Sequence, residues 1–278
     1  MSNFWARTIT GLSMVFLILA ALGLNIFFFA ALFLIVTVLG LLEFYSITVT
    51  EECKPQKITG TILGTIVYLM ITGLFLFRGF DALLLSAVVI FPVFFIPIII
   101  EVYRKKEKPL INAAVTIFGM IYIAVPLSLL PLMNNSDGGT VLLHFPAYLT
   151  AYFLITWIYD TGAYLVGKNF GKHKFFERIS PKKTWEGTIG GATIAIAAAT
   201  GFFFISEDIR LIHLIVLTFL VILFGTFGDL AESLFKRSLN LKDSGKILPG
   251  HGGILDRFDT LFVSAPFVFL YFVFQIIL

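Results

Sequence analysis

LIHLIVLTFLVILFGTFG, residues 211–228, runs without a charged side chain into DLAESLFKRSLNLKDSGKILPGHGGILDRFD, residues 229–259. TLFVSAPFVFLYFVFQIIL, residues 260–278, follows, again without a charge. Either apolar run is long enough to cross a ~30 Å hydrocarbon core as a helix. Backbone polar groups in lipid must be satisfied internally, which makes helices the natural reading of both runs. The polar stretch between them gains no packing from lipid. It holds five acidic and five basic residues, His251 and closely spaced glycines. That concentration predicts chemistry at a membrane surface.

The whole chain has the same character. Of its 278 residues 58% are hydrophobic, 32 are Phe and only 13% are charged, against about 25% charged in soluble domains. Mean hydropathy is +0.96. A transmembrane β-barrel would show short alternating segments, which the sequence lacks. A net charge of +3 is too small to imply a nucleic-acid partner. The one cysteine, Cys53, excludes an intrachain disulfide and a cysteine-rich metal site. The first apolar stretch reads as a first span rather than a signal peptide, because further spans follow at once.

The expectation is therefore an all-α polytopic integral membrane protein with about nine transmembrane helices. These fall near 8–24, 26–46, 58–77, 82–100, 111–133, 141–159, 188–205, 211–228 and 260–278, with a split at 23–25 and a turn at 137–139. Pro92, Pro97, Pro126 and Pro131 are candidate kinks. The Gly- and Ala-rich run 187–201 predicts close helix packing. With the N-terminus on the cytoplasmic side, 18 of the 20 Lys and Arg residues fall on that side and only Arg78 and Arg210 opposite. This matches the positive-inside rule and puts the C-terminus outside. Three regions follow: N-terminal membrane helices (1–110), middle membrane helices (111–159) and a C-terminal catalytic membrane region with cytoplasmic polar segments (160–278).

Asp229, Glu232 and Ser233 are spaced i, i+3 and i+4, with Lys236 one turn further, so a helix presents them on one face. Asp256 and Asp259 are likewise three apart, just before the last span. Converging carboxylates repel unless a cation lies between them, and hard oxygen ligands suit Mg²⁺, which takes one or two carboxylates plus substrate phosphates. Asp229 and Asp256 abut apolar spans, where an unpaired charge is expensive. Lys236, Arg237, Lys242 and Arg257 can screen phosphate charge. Gly250, Gly252 and Gly253 around His251 let backbone approach a ligand, with His251 positioning phosphate. A second element is Asp160 with the basic segment 167–187, in which Ser180, Lys182, Lys183, Thr184 and Glu186 form a compact polar set. Any single lysine is explained by lipid headgroups, and lone Asp243 by loop solvation. Ser233 is explained by a bond to a backbone carbonyl; the collective pattern is not. His173 reads as a surface residue without a patterned partner. His144 and His213 read as structural, and Glu43, Glu51, Glu52 and Glu101 as sparse border charges. No P-loop and no dinucleotide fingerprint is present, so a phosphate site must be built from the ends of membrane helices.

The order Ser233-x-Phe235-Lys236-Arg237-x4-Lys242-Asp243-x-Gly245-x2-Leu248-Pro249-x-His251-Gly252-Gly253-Ile254-x-Asp256-Arg257-Phe258-Asp259 resembles the signature of the phosphatidate cytidylyltransferase (CDP-diacylglycerol synthase) family. The segment SPKKTWEG, 180–187, resembles a second motif of that family. The likeness is sharp over 155–278 and rests mainly on length and hydrophobicity before that. It implies transfer of a cytidylyl group from CTP to phosphatidate, giving CDP-diacylglycerol and pyrophosphate for phospholipid synthesis. It also implies a divalent cation, a homodimer and an integral protein of a bacterial inner (cytoplasmic) membrane with its active site facing the cytoplasm. Carried onto this chain, it places metal and phosphate chemistry at Asp229, Asp243, Asp256 and Asp259. Asp160, Ser180, Lys182, Lys183, Thr184 and Glu186, with Ser233, Gly252 and Gly253, then contact substrate. One Mg²⁺ would be held mainly by Asp229 and Asp256, while Asp259 and Asp243 complete its shell or hold a second cation. Rival readings are a CDP-alcohol phosphotransferase, whose aspartate spacing does not match, a lipid kinase, and a carboxylate-lined ion transporter, which leaves the basic glycine-containing segments unexplained.

Overall fold

The computed structural model describes residues 3–78, 88–134, 146–206, 209–245, 247 and 252–277. Helices α1 (Asn3–Leu24), α2 (Ile26–Ile47), α3 (Lys57–Arg78) and α4 (Ile96–Arg104) come first, followed by α5 (Pro109–Met133) and α6 (Ala147–Phe170). A hairpin of β1 (Lys174–Phe176) and β2 (Ser180–Thr184) leads into α7 (Trp185–Ile205), α8 (Leu211–Ser238) and α9 (Leu255–Ile277). Among the described residues six helices are long and apolar enough to cross a membrane: α2, α3, α5, α7, α8 and α9. The protein is thus a helical integral membrane protein, with one short antiparallel hairpin among the described residues. The start of the span expected from 82, the start of that expected from 141, the turn at 137–139, His144 and His251 lie outside the described residues.

Two compact units are present, Met1–Ala21 with Asn25–Leu132 and Leu239–Phe258, and Leu22–Leu24 with Met133–Ser238 and Asp259–Leu278. In the first, α2, α3 and α5 close around Tyr45. Its ring lies where side chains at Gly60 and Gly119 would stand, 2.6 and 2.7 Å from their added Cβ atoms. Its buried hydroxyl donates to the Thr116 carbonyl at 2.6 Å. The Tyr68 hydroxyl donates to the Ala30 carbonyl at 2.8 Å. Small residues admit the rings, and the carbonyls satisfy phenols that water cannot reach. The break expected at 23–25 falls at Asn25, whose Oδ1 accepts from the Phe27 N–H at 2.9 Å and caps α2. In α5 a π turn at Met120–Ala124 precedes Pro126. Proline there removes an N–H and crowds the preceding turn, which accounts for the widened ladder.

The second unit is built on glycine crossings. A Cβ on Gly191 of α7 would stand 2.7 Å from the Ala163 backbone nitrogen of α6, and Gly187 meets the Ala163 carbonyl at 2.8 Å. The close packing expected for 187–201 is therefore present, with α6 as its partner. Replacing Gly191 by Leu is expected to lower stability by about 1–3 kcal/mol through overpacking, read as an earlier thermal transition in detergent. Gly201 of the same helix has nothing within 4 Å of an added Cβ. Gly201→Leu is expected to leave the transition in place.

Two local details go beyond the sequence reading. The helix that carries Asp160 does not end there: α6 continues to Phe170, with Gly162 and Gly167 keeping that face close to α7. The segment 174–184 is a hairpin rather than a plain loop, pairing Lys174 with Thr184 and Phe176 with Ser180. Phe175 sets its ring edge-on to Trp185, with centroids 4.5 Å apart.

Candidate functional site

In the second unit α8 does not stop at the end of its apolar run; it carries Asp229, Glu232, Ser233, Lys236 and Arg237 as two further turns. One face of these turns is wired together, as the i, i+3, i+4 spacing predicts. The Ser233 hydroxyl donates to Asp229 Oδ1 at 3.3 Å rather than to a backbone carbonyl. Lys236 Nζ pairs with Glu232 Oε2 at 2.5 Å, both nearly buried, with side chains 14% and 5% exposed. A buried charge pair is poor value for stability alone, because desolvation offsets the attraction. Glu232, seen in the sequence as part of this face but not counted among the candidate site residues, belongs to the cluster.

Lys183 of β2 reaches the same helix and pairs with Asp229 Oδ2 at 2.5 Å, the two side chains 25% and 35% exposed. Half-buried Asp259 of α9 lies within electrostatic reach of Asp229, Glu232 and Asp160. Backbone proximity makes this possible. Gly228 leaves room for the Asp259 carbonyl, 2.5 Å from where its Cβ would be, and Gly225 admits the Thr260 methyl at 2.6 Å. The Asp259 carboxylate accepts from the Thr260 N–H at 2.7 Å. Three elements, β2, α8 and α9, thus bring Lys183, Asp229 and Asp259 together.

The hairpin is braced by Glu186 and Thr184. Glu186 accepts from the backbone N–H groups of Lys172 (3.1 Å) and His173 (3.2 Å) and meets His173 Nδ1 at 2.5 Å. His173 is therefore exposed as expected, but it does have a partner. Buried Thr184 caps α7, its hydroxyl oxygen accepting from the Gly187 N–H at 3.2 Å. Glu186 and Thr184 hold Lys183 in place through the backbone. Lys182 is exposed and Ser180 half-buried on the same strand.

The first unit contains the other part of the sequence motif. Asp256, in the first turn of α9, accepts through Oδ2 from the N–H groups of Ser244 and Gly253, both at 2.9 Å. Gly252 has φ +82°, a left-handed conformation that favours glycine. Lys242, Asp243 and Arg257 are exposed.

The residue missed from sequence is Glu43. It is buried in α2 at 5% exposure. Its carboxylate accepts from Ser244 Oγ at 2.5 Å, the Ile254 N–H at 2.9 Å and the Leu255 N–H at 3.0 Å. A signal was present: an acid inside an apolar span is a functional candidate by default.

Among the described residues no three His, Cys, Asp or Glu side chains converge as a ready-made metal cage. The carboxylates near Asp259 fit a cation of another kind, one that takes one or two protein oxygens and completes its shell from substrate phosphate and water.

A model of the family described as "Cytidylyltransferase family" matches residues 5–275. The chain is 40% identical over 173 residues to proteins named phosphatidate cytidylyltransferase from Staphylococcus haemolyticus and Staphylococcus aureus (strain COL), covering 62% of this chain and 64% of theirs. It is 49% identical over 117 residues to the protein of that name from Bacillus subtilis (strain 168), covering 42% of this chain and 44% of that one. These matches span less than two thirds of the relatives' own length.

Proposed function

We propose that this chain, which belongs to the cytidylyltransferase family, transfers the cytidylyl group of CTP to phosphatidate, yielding CDP-diacylglycerol and pyrophosphate. The observation that carries the proposal is the meeting of Lys183 and Asp229 within a carboxylate cluster at the polar end of apolar α8. Opposite charges gathered beside lipid suit a reaction between two anionic phosphates, one of them membrane-bound. The name these relatives carry supports the choice of substrates.

In the proposed reaction a phosphatidate phosphate oxygen attacks the α-phosphorus of CTP. A new P–O bond forms, the bond from that phosphorus to the bridging oxygen breaks, and pyrophosphate leaves with the electron pair. The attacking oxygen is already ionised near neutral pH, so orientation and charge screening matter more than a strong base. Asp229 and Asp259 are the carboxylates assigned to Mg²⁺, with Asp160 beside them. When bound, the ion would neutralise charge on the CTP phosphates. Lys183 exchanges its Asp229 partner for a phosphate oxygen as substrate arrives. Lys182 and Arg237, both exposed, screen the approach of the second anion. Glu232 orients Lys236 through their ion pair. In the first unit, exposed Lys242 and Arg257 and the backbone around Gly252 are assigned to phosphate contacts.

The same proposal places the N-terminus and the polar segments on the cytoplasmic side of nine spans, supported by the 18 of 20 basic residues on that side. The test is pyrophosphate release by purified protein in lipid–detergent micelles. Release is expected only with CTP, phosphatidate and Mg²⁺ together, is abolished by a chelator and returns when Mg²⁺ is restored. Release that ignores phosphatidate, or none with all three present, rejects the proposal.

A further inference from the structure

We infer that Glu43 is a positioning residue for Ser244, Gly245 and Gly252–Leu255, the described ends of the glycine-rich loop, holding their backbone in the shape that receives nucleotide phosphate. The inference rests on the function proposed above for its substrate, but its geometry stands alone. Glu43 lies 201 positions before Ser244 in sequence and receives one hydrogen bond from the start of the loop and two from its end. Asp256 makes a second tie of the same kind, from Ser244 N–H to Gly253 N–H. Two carboxylates, one from α2 and one from α9, thus tie Ser244 to Gly253, Ile254 and Leu255.

The glycines of the motif answer to these carboxylates. An added Cβ on Gly245 would stand 2.6 Å from Glu43 Oε2, and one on Gly253 would overlap Glu43 Oε1. One on Gly252 would overlap Asp256 Oδ2. Glycine at 245 and 253 therefore makes room for Glu43, in addition to any approach by ligand. The Ile254 and Leu255 N–H groups that Glu43 accepts are among the first of α9, where no intrahelical acceptor exists. A buried anion there also suits the helix dipole. Glu43 itself sits near the C-terminal end of α2, the end at which that dipole disfavours an anion. Its partners in the loop, and not its own helix, explain its presence.

Glu43→Gln keeps size and shape but turns an NH2 group toward at least one donor of the loop. It is expected to raise the KM for CTP by about tenfold or more, the usual scale for removing a residue that orients a binding group. The KM for phosphatidate and the thermal transition in detergent are expected to stay near wild type. Ser244→Ala is expected to give a smaller rise, and the two changes combined to be non-additive because both disturb the hydrogen bond these residues share. An unchanged CTP KM, or both KM values moving together, overturns the inference. Hydrogen exchange at the Ile254 and Leu255 amides supplies a readout independent of catalysis. The wild type is expected to protect both and Ser244→Ala, a milder change should Glu43→Gln fail to fold, to exchange faster at both. Equal exchange in wild type and Ser244→Ala also overturns it. Should wild type show no cytidylyl transfer, the proposed substrate falls, while exchange at these amides still decides whether Glu43 and Ser244 hold the loop.

Discussion

Asp229→Asn is expected to reduce cytidylyl transfer by about a hundred- to a thousandfold, the scale seen when one preorganised electrostatic group is removed from a reacting centre. Asparagine preserves volume and can still accept from Ser233. What it loses is the negative charge that meets Lys183 at 2.5 Å and that would share a cation with Asp259. Because Asp229 is about one third exposed, its ion pair adds little to stability, and the thermal transition is expected to move little. The check is steady-state turnover over a Mg²⁺ titration. A variant that is slow yet recovers partly at high Mg²⁺ fits a weakened cation site. Turnover within threefold of wild type at every Mg²⁺ concentration would remove Asp229 from the chemistry.

Gly228→Leu is expected to abolish activity and to lower stability together. The added Cβ would lie 2.5 Å from the Asp259 carbonyl oxygen and 3.3 Å from both the Asp259 carbonyl carbon and Thr260 Cα. These are backbone atoms of a helix and cannot swing aside as a side chain tip can. Overpacking of this kind costs about 1–3 kcal/mol, and the separation of α8 from α9 would carry Asp259 away from Asp229. The stacked pair of Phe224 and Phe267, with centroids 3.5 Å apart, would be disturbed by the same shift. Thermal unfolding in detergent and turnover measured on the same preparation test this. Normal stability together with normal turnover would contradict the α8–α9 contact.

Where the governing interactions are local, the sequence carries them. The apolar runs, the Asn25 break and the shared face of Asp229, Ser233 and Lys236 all follow from spacings of a few residues. Both Asp229 and Lys183 could be singled out because charges stand out in a greasy chain. Their pairing could not, since it depends on how the hairpin meets α8, and a three-residue strand beside SPKKT has no alternation to reveal it. A charge normally ends an apolar span, as Asp160 does in the sequence; that the helix itself runs on depends on contacts through Gly162 and Gly167. Glu43 was hidden for the opposite reason. It looks like any border charge of a span, and its partners lie some 201 residues away. Gly253 reads in the sequence as room for a ligand, while the structure places a buried carboxylate beside it and beside Gly245.

The most direct test of cytidylyl transfer uses purified protein in phosphatidate-containing vesicles with CTP labelled at either the α- or the γ-phosphorus. The α label is expected to appear in lipid, dependent on Mg²⁺, and the γ label in released pyrophosphate. Lipid that carries the γ label instead would make the protein a kinase, and ion flux without any nucleotide turnover would make it a transporter; either result would contradict the account.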